Sequence, residues 1–339
     1  MNAVLIIDKP TGLTSHDVVN RARRILHERS IGHLGTLDPM ATGVLPLVTG
    51  SLTRLAQFYT ASEKTYEGTI RFGFATDTYD ADGDPTTAPQ AVNLHAEEVE
   101  TAAARFRGVI QQTPPPFSAK KIKGVPAYKL ARQQKEVNLQ PVQVEIKELE
   151  ILEVAVDRVR FRARVASGTY MRAVAHDMGR ELACGAHLES LRRTSVAEFT
   201  IEDAHKLEEL ASAADQCHPD RSVPLPKGTE GGVEEPRVAP GAPPFSRSSQ
   251  EGGDFDSLEA LFVHPRKLLP HLPCVTADEP TAARIRSGRT VNLPDLSRAP
   301  QVKVFANQRD LIAIATRVAG TLFHPKIVLC GTDTPVRRL

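Results

Sequence analysis

The texture of the chain changes abruptly between Cys217 and Ser257, and that change limits what the rest can fold into. The interval holds Pro219, Pro224, Pro226, Pro236, Pro240, Pro243 and Pro244, with Gly231-Gly232, Gly252-Gly253 and very few large apolar side chains. Such a composition buries too little surface to offset the entropy of ordering it. Residues 213–258 are therefore expected to form a flexible linker. It separates a larger unit over residues 1–212 from a smaller one over 259–339, in keeping with a 339-residue chain that exceeds one hydrophobic core.

Hydrophobic residues at 41% and charged residues at 24% are ordinary for a globular protein. The longest apolar runs, such as Val4–Ile7 and Gly43–Val48, fall far short of the roughly 20 residues that cross a bilayer. Asp8 and Lys9 follow the first run, with neither a basic n-region nor a small-residue cleavage site. No membrane association and a cytoplasmic location are expected. Cys184, Cys217, Cys274 and Cys330 lie far apart without CxxC spacing, so reduced thiols are expected rather than a disulfide framework or a zinc knuckle. A net charge of +1 decides nothing about nucleic acid, because the local distribution of base matters more than its sum.

Ser15 can cap a helix whose apolar positions Val18, Val19, Ala22, Ile25 and Leu26 share one face, leaving Arg21, Arg24 and Arg29 toward solvent. Residues 159–165 alternate strictly: Val159, Phe161, Ala163 and Val165 face one side, and Arg158, Arg160, Arg162 and Arg164 the other. That arginine face reads equally as a solvated sheet surface or as a phosphate-contacting one. Beyond Leu261, Pro280 can open a short helix carrying Ala282, Ala283 and Ile285 that stops at Gly288. Strand-like runs follow at 302–305, 311–314 and 327–329. The smaller unit is thus a β-rich module.

The segment from Ile31 to Pro46, IGHLGTLDPMATGVLP, carries three glycines and two prolines in 16 residues. It reads as a structured loop that places side chains on a rigid scaffold. Pro39 biases Asp38 away from the α region, which leaves either a fixed, exposed carboxylate or a simple Asp-Pro turn.

This segment resembles the catalytic loop of the bacterial tRNA pseudouridine-55 synthases, the TruB type, whose pattern GHxGTLDPxATGVLP it matches without departure. The opening LIIDKPTGLTS over 5–15 is similar to the same family's start. A third block, Lys64-Thr65-Tyr66 with GFATDTYDADG over 73–83, and a fourth, SGTYMR over 167–172 with Leu191-Arg192-Arg193, resemble its remaining elements. The resemblance covers nearly all of the larger unit and implies a mixed α/β (α+β) catalytic domain with a largely antiparallel sheet and a central cleft. The last residues resemble, more loosely, a PUA-type RNA-binding module. The linker is longer than the family pattern leads one to expect.

The resemblance implies isomerisation of uridine 55 in the T-arm of tRNA by base flipping, with no organic cofactor or metal. Asp38 takes the role of nucleophile or base, and Arg172 that of its cationic partner. Its planar fork suits a carboxylate that burial against a stacked base would otherwise protonate. Tyr66 stacks on the base and serves proton transfer, while Tyr170 and Leu191 line the pocket. His33 fills space or contacts RNA once the base is extruded. Residues 113–135, which open with Pro114, Pro115, Pro116, Phe117, Lys120, Lys121 and Lys123, resemble an insertion that grips the RNA arm. A monomer working without guide RNA or an obligatory protein partner is expected.

Competing readings are weaker. The run Asp77 to Asp84 fails the EF-hand spacing and lacks the closing glutamate. Ser15-His16-Asp17 are adjacent in sequence, the wrong arrangement for a triad, and no GxSxG or Walker loop is present. A noncatalytic tRNA-binding protein or folding chaperone remains the rival from another class, and Asp38→Asn separates it from an enzyme.

Overall fold

The structure, a computed structural model, describes residues 1–118, 120–122, 124–133, 139–216, 256–294 and 299–329. The larger unit contains strands β1 (Val4–Lys9), β2 (Ile31–His33), β3 (Thr42–Thr49), β4 (Lys64–Phe72), β5 (Gly108–Gln112), β6 (Lys121–Ile122), β7 (Val125–Pro126), β8 (Val142–Val154), β9 (Arg158–Val165), β10 (Ala186–Val196) and β11 (Phe199–Thr200). Its helices are α1 (Ser15–Ile25), α2 (Ala56–Tyr59), α3 (Ala96–Ala104), α4 (Ala127–Arg132), α5 (Met171–Glu181) and α6 (Leu207–Gln216). The sheet runs β1-β3-β10-β4-β9-β8-β5, with β2 joined to β3 and β11 to β10. Only the β3–β10 pairing is parallel, so the sheet is mixed and largely antiparallel.

Alternation in β9 buries Val159, Phe161, Ala163 and Val165. These side chains share a core with Val174, Ala175 and Met178 of α5. The opposite face is a ladder of cross-strand ion pairs: Arg158 with Glu189, Arg160 with Glu153, Arg162 with Glu67, and Arg164 with Glu63 and Glu148. The four arginines are therefore spent on neighbouring carboxylates, which favours the solvated-surface reading over the phosphate-contacting one.

Helix α1 begins one residue earlier than a Ser15 cap requires. Thr14 has extended backbone and forms a capping box with Asp17. Ser15 lies inside the helix, where its hydroxyl accepts from Leu37 N (2.8 Å) and donates to Leu37 O (3.1 Å). The glycine- and proline-rich segment is also shorter as a loop than expected. Its ends belong to β2 and β3, leaving residues 34–41 irregular, and Pro46 sits within β3 opposite Ile6.

Helix α6 continues through Gln216, four residues past the expected boundary at 212. Most of the expected linker, residues 217–255, lies outside the described residues. Helix α7 (Asp256–Glu259) packs on α6, and Leu258, Leu261 and Phe262 join the core of the larger unit. The sheet of the smaller unit, β12-β14-β15-β16-β13, comprises β12 (Cys274–Thr276), β13 (Val291–Asn292), β14 (Gln301–Phe305), β15 (Leu311–Ala319) and β16 (Leu322–Val328). Asp278 caps α8 (Glu279–Arg286), with Pro280 in its first turn and Gly288 at φ +75° beyond its end. Buried Lys303 ties this sheet to the preceding segment by donating to the carbonyls of Arg266 (2.9 Å) and Leu268 (2.5 Å).

Candidate active site

Asp38 lies at the tip of the 34–41 loop, where its carbonyl accepts from Ala41 N at 3.1 Å in a tight turn. Two buried cations hold this loop. Lys9, at the end of β1, donates to the carbonyls of Pro10 (2.9 Å), Pro39 (3.1 Å) and Ala41 (2.7 Å). Burial pushes its ammonium down to about 8, against the partial support of nearby Asp38. Arg193, on β10, is fully buried and donates to Val44 O (2.8 Å), Thr36 O (3.2 Å) and Gly35 O (3.0 Å). The loop's orphan carbonyls are thus satisfied by charged donors, which fix it more firmly than neutral ones would.

Arg172 occupies the first turn of α5. Its Nε donates to Asp38 Oδ2 at 2.8 Å and its Nη2 to Asp38 Oδ1 at 3.1 Å. The remaining donors reach Thr78 O and Phe117 O, each at 3.0 Å, and Asp80 Oδ2 lies 3.5 Å from Nη1. The planar fork has five N–H donors, and this arrangement engages every nitrogen. Asp80 is itself buried, which raises its carboxyl above the usual range despite a hydrogen bond from Thr78 Oγ1 at 2.6 Å. The Arg172 side chain is 5% exposed and that of Asp38 36%. One partner is locked into the protein and the other opens outward.

Asp38 opens into a cavity of about 460 Å³ whose walls include Lys64, Tyr66, Tyr170, Arg172, Leu191 and Arg193. Tyr66 lies opposite Arg193 in the β4–β10 ladder, and Leu191 lies two residues before it on β10, so both side chains reach the same face. Tyr170 is the residue before α5, and its backbone is gripped at both polar groups by the Gln112 side chain (2.9 and 3.1 Å). Burial raises the Tyr170 phenol above its ordinary value. Lys64 donates to Ser62 O at 2.6 Å, and burial, followed by the charge of Arg193, pushes its ammonium down to about 8.

The structure therefore brings Asp38, Tyr66, Tyr170, Arg172 and Leu191 around one cavity. His33 lies apart from this group, in an adjoining cleft that Asp38 and Arg172 also border. Its Nδ1 is buried without a hydrogen-bond partner, and burial and then Arg193 hold its imidazole below the ordinary value. Sequence reasoning gave no role to Lys64, Asp80, Gln112 or Arg193. Lys64, Asp80 and Arg193 lay within the motifs quoted, whereas Gln112 carries no sequence signal.

The rival motifs are used up locally. Asp17 completes the α1 capping box, Asp77 Oδ1 accepts from Asp84 N at 2.9 Å, and Asp80 faces Arg172. The expected RNA-gripping segment 113–135 is described except at 119, 123 and 134–135; it contains the β6–β7 hairpin and α4.

The mixed sheet thus carries an aspartate-arginine pair on the wall of a cavity that also holds Lys64, Arg193, Tyr66 and Tyr170. The chain aligns at a TM-score of 0.64 and 22% identity with a chain of a Cbf5-Nop10-Gar1 complex, covering 98% of this chain and 86% of that one. A chain from an H/ACA RNP bound to a substrate RNA containing 2'-deoxyuridine aligns equally well, at 21% identity, covering 98% of this chain and 86% of that one. Residues 23–171 match the N-terminal domain of the TruB family pseudouridylate synthases, and residues 172–224 match the tRNA pseudouridylate synthase B C-terminal domain. The tRNA pseudouridine synthase B of Solibacter usitatus is 44% identical over 333 residues, covering 97% of this chain and all of that protein. That of Burkholderia mallei is 34% identical over 337 residues, covering 98% of each. The chain belongs to the TruB family of pseudouridylate synthases.

Proposed function

We propose that the chain isomerises uridine 55 in the T-arm of tRNA to pseudouridine, with Asp38 as the reacting carboxylate. The observation that carries this reading is the bidentate Asp38–Arg172 pair, in which the guanidinium is anchored on all sides and the carboxylate faces the cavity. The names of the full-length relatives supply the RNA class.

The reaction breaks the N1–C1′ bond, turns the uracil and forms a C5–C1′ bond; C5 loses a proton and N1 gains one, with no net redox change. An ionised carboxylate beside an extruded nucleotide can attack the ribose or take a ribose proton. The guanidinium of Arg172 fixes both oxygens of Asp38 so that one lone pair points into the cavity. Tyr66 and Leu191 enclose the uracil, and the Tyr66 phenol beside Arg193 is placed to move the C5 proton. Tyr170 supplies a polar contact from the opposite wall. His33 occupies space released when the base leaves the RNA stack. Residues 113–135 and the PUA-like smaller unit hold the RNA on either side. The protein acts in the cytoplasm as a monomer, without cofactor, metal, guide RNA or obligatory partner.

The test is incubation of the purified protein with an unmodified tRNA transcript, followed by mapping of pseudouridine at single-nucleotide resolution beside an Asp38→Asn control. Pseudouridine at position 55, lost in the control, is the expected result. Binding without modification in the wild type would replace the enzyme reading with a tRNA chaperone, and modification at another position would overturn the substrate assignment.

A further inference from the structure

Among the described non-glycine residues, Tyr79 is one of five with positive φ, at +66°. A bulky aromatic residue rarely adopts that conformation unless its surroundings impose it. Its two neighbours explain why the turn matters. The carbonyl before it, Thr78 O, and the carboxylate after it, that of Asp80, both reach Nη1 of Arg172. A left-handed residue between them turns two acceptors in succession toward one donor. The segment is also stitched to β10, since Leu188 N donates to Tyr79 O and Ala81 N to Leu188 O, each at 3.0 Å.

What seats Tyr79 is a ring. Its phenol lies flat on His176, with centroids 3.8 Å apart and planes 9° from parallel. His176 follows Arg172 by four residues on α5, so the imidazole and the guanidinium rise from the same face of the helix, one turn apart. His176 Nδ1 is buried without a hydrogen-bond partner, so no polar contact at that nitrogen accounts for where the ring sits. Neither ring lines the Asp38 cavity.

We propose that Tyr79 and His176 form a positioning pair that registers the 78–80 turn against α5 and thereby fixes the angle at which Arg172 presents Asp38. This rests on the functional reading above. The chain of contacts is continuous: His176 holds Tyr79, Tyr79 holds the Thr78 carbonyl and the Asp80 carboxylate, these hold Nη1 of Arg172, and Nε and Nη2 hold Asp38. Without the stack, residue 79 relaxes to negative φ and one of the two acceptors swings away. Arg172 then keeps its charge beside Asp38 but loses its orientation, which slows the chemical step more than it weakens RNA binding.

The test uses the full-length protein with tRNA transcript. Tyr79→Ala and His176→Ala are each expected to lower single-turnover rate about tenfold, with Kd for the transcript changed less than about twofold, and the double variant is expected to be no slower than either single one. Tyr79→Phe keeps the ring and is expected to restore the wild-type rate. Should Tyr79→Ala fail to fold, judged by its thermal transition, Tyr79→Leu replaces it, retaining bulk without a planar ring. Arginine Nε–H resonances provide a reading independent of turnover. The ion-paired Arg172 signal, assigned with Arg172→Lys, is expected to broaden in the alanine variants and to persist in Tyr79→Phe. Folded alanine variants with wild-type rates and an unchanged Arg172 signal would overturn the pairing, as would rate losses that multiply in the double variant. Absence of turnover in the wild type would instead refute the functional reading, leaving the resonance to decide this one.

Discussion

Arg172 and Asp38 meet through two parallel hydrogen bonds, Nε to Oδ2 and Nη2 to Oδ1, across 134 positions of sequence. The pair is asymmetric in surroundings as well as in charge. Thr78 and Phe117 carbonyls hold the arginine from behind, and no other described side chain bonds the aspartate. A change in either partner therefore acts directly on how the Asp38 oxygens are held.

Arg172→Lys keeps the charge and loses the fork. The single-turnover rate is expected to fall about a hundredfold, with RNA affinity nearly unchanged, because the lost interaction orients Asp38 and not the RNA. Rapid-quench kinetics on the tRNA transcript checks this, and a rate near that of the wild type would show that charge alone suffices.

Lys64 presents an ammonium to the cavity and has no carboxylate within ion-pairing distance among the described residues. Arg162, by contrast, is already paired with Glu67 and Glu150. Lys64→Met is expected to weaken RNA binding and to reduce the slope of log affinity against log salt by about one, whereas Arg162→Ala leaves that slope in place. Equilibrium titrations between low and moderate salt distinguish the two.

Gly43 adopts φ +99°, and a Cβ there would collide with the backbone of Arg193 on the neighbouring parallel strand. Gly43→Ala combines backbone strain with a clash that no side-chain rotation relieves. A loss of at least ~2 kcal/mol is expected, read as a lower urea midpoint. An unchanged midpoint would mean that β3 and β10 can separate at that point without cost.

Lys9 is held at about 8 in the fold, below the ordinary lysine value of 10.5. Between these values the unfolded chain binds a proton that the native state has released, so stability rises with pH through that window. The difference between wild type and Lys9→Met is expected to change there, by up to ~1.4 kcal/mol per pH unit. Urea midpoints of both proteins from pH 7 to 10.5 measure it, and parallel curves would refute the burial of Lys9 as a charged group.

The residues that sequence could read are those whose pattern is local. Strict alternation exposed the buried face of β9, and Pro280 and Gly288 bracketed α8, whereas loop composition left Asp38 open between a fixed carboxylate and a simple turn and only the motif match singled it out. Anchors escaped because their partners are backbone atoms far along the chain. The carbonyls that receive the Arg193 guanidinium lie 149 to 158 positions earlier, and an arginine beside another arginine gives no sign of which one is buried. Gln112 is similarly silent, since its two bonds are to the backbone of Tyr170. The arginine face of β9 was ambiguous for the opposite reason: its partners lie on β4, β8 and β10 and, for Glu63, just before β4, and only the register decides whether the charges are free.

The ends of the 217–255 interval are fastened to the same body. Helix α6 leads into it, α7 leaves it resting on α6, and Val263 N then donates to Val4 O at 2.8 Å beside β1. Further on, Leu269 N donates to Glu198 Oε1 at 2.8 Å, and Tyr59 donates to the same oxygen at 2.6 Å. The second sheet is consequently moored to the first body by these contacts. A break of the chain anywhere between Gln216 and Asp256 would therefore leave two fragments held together by these contacts as one body.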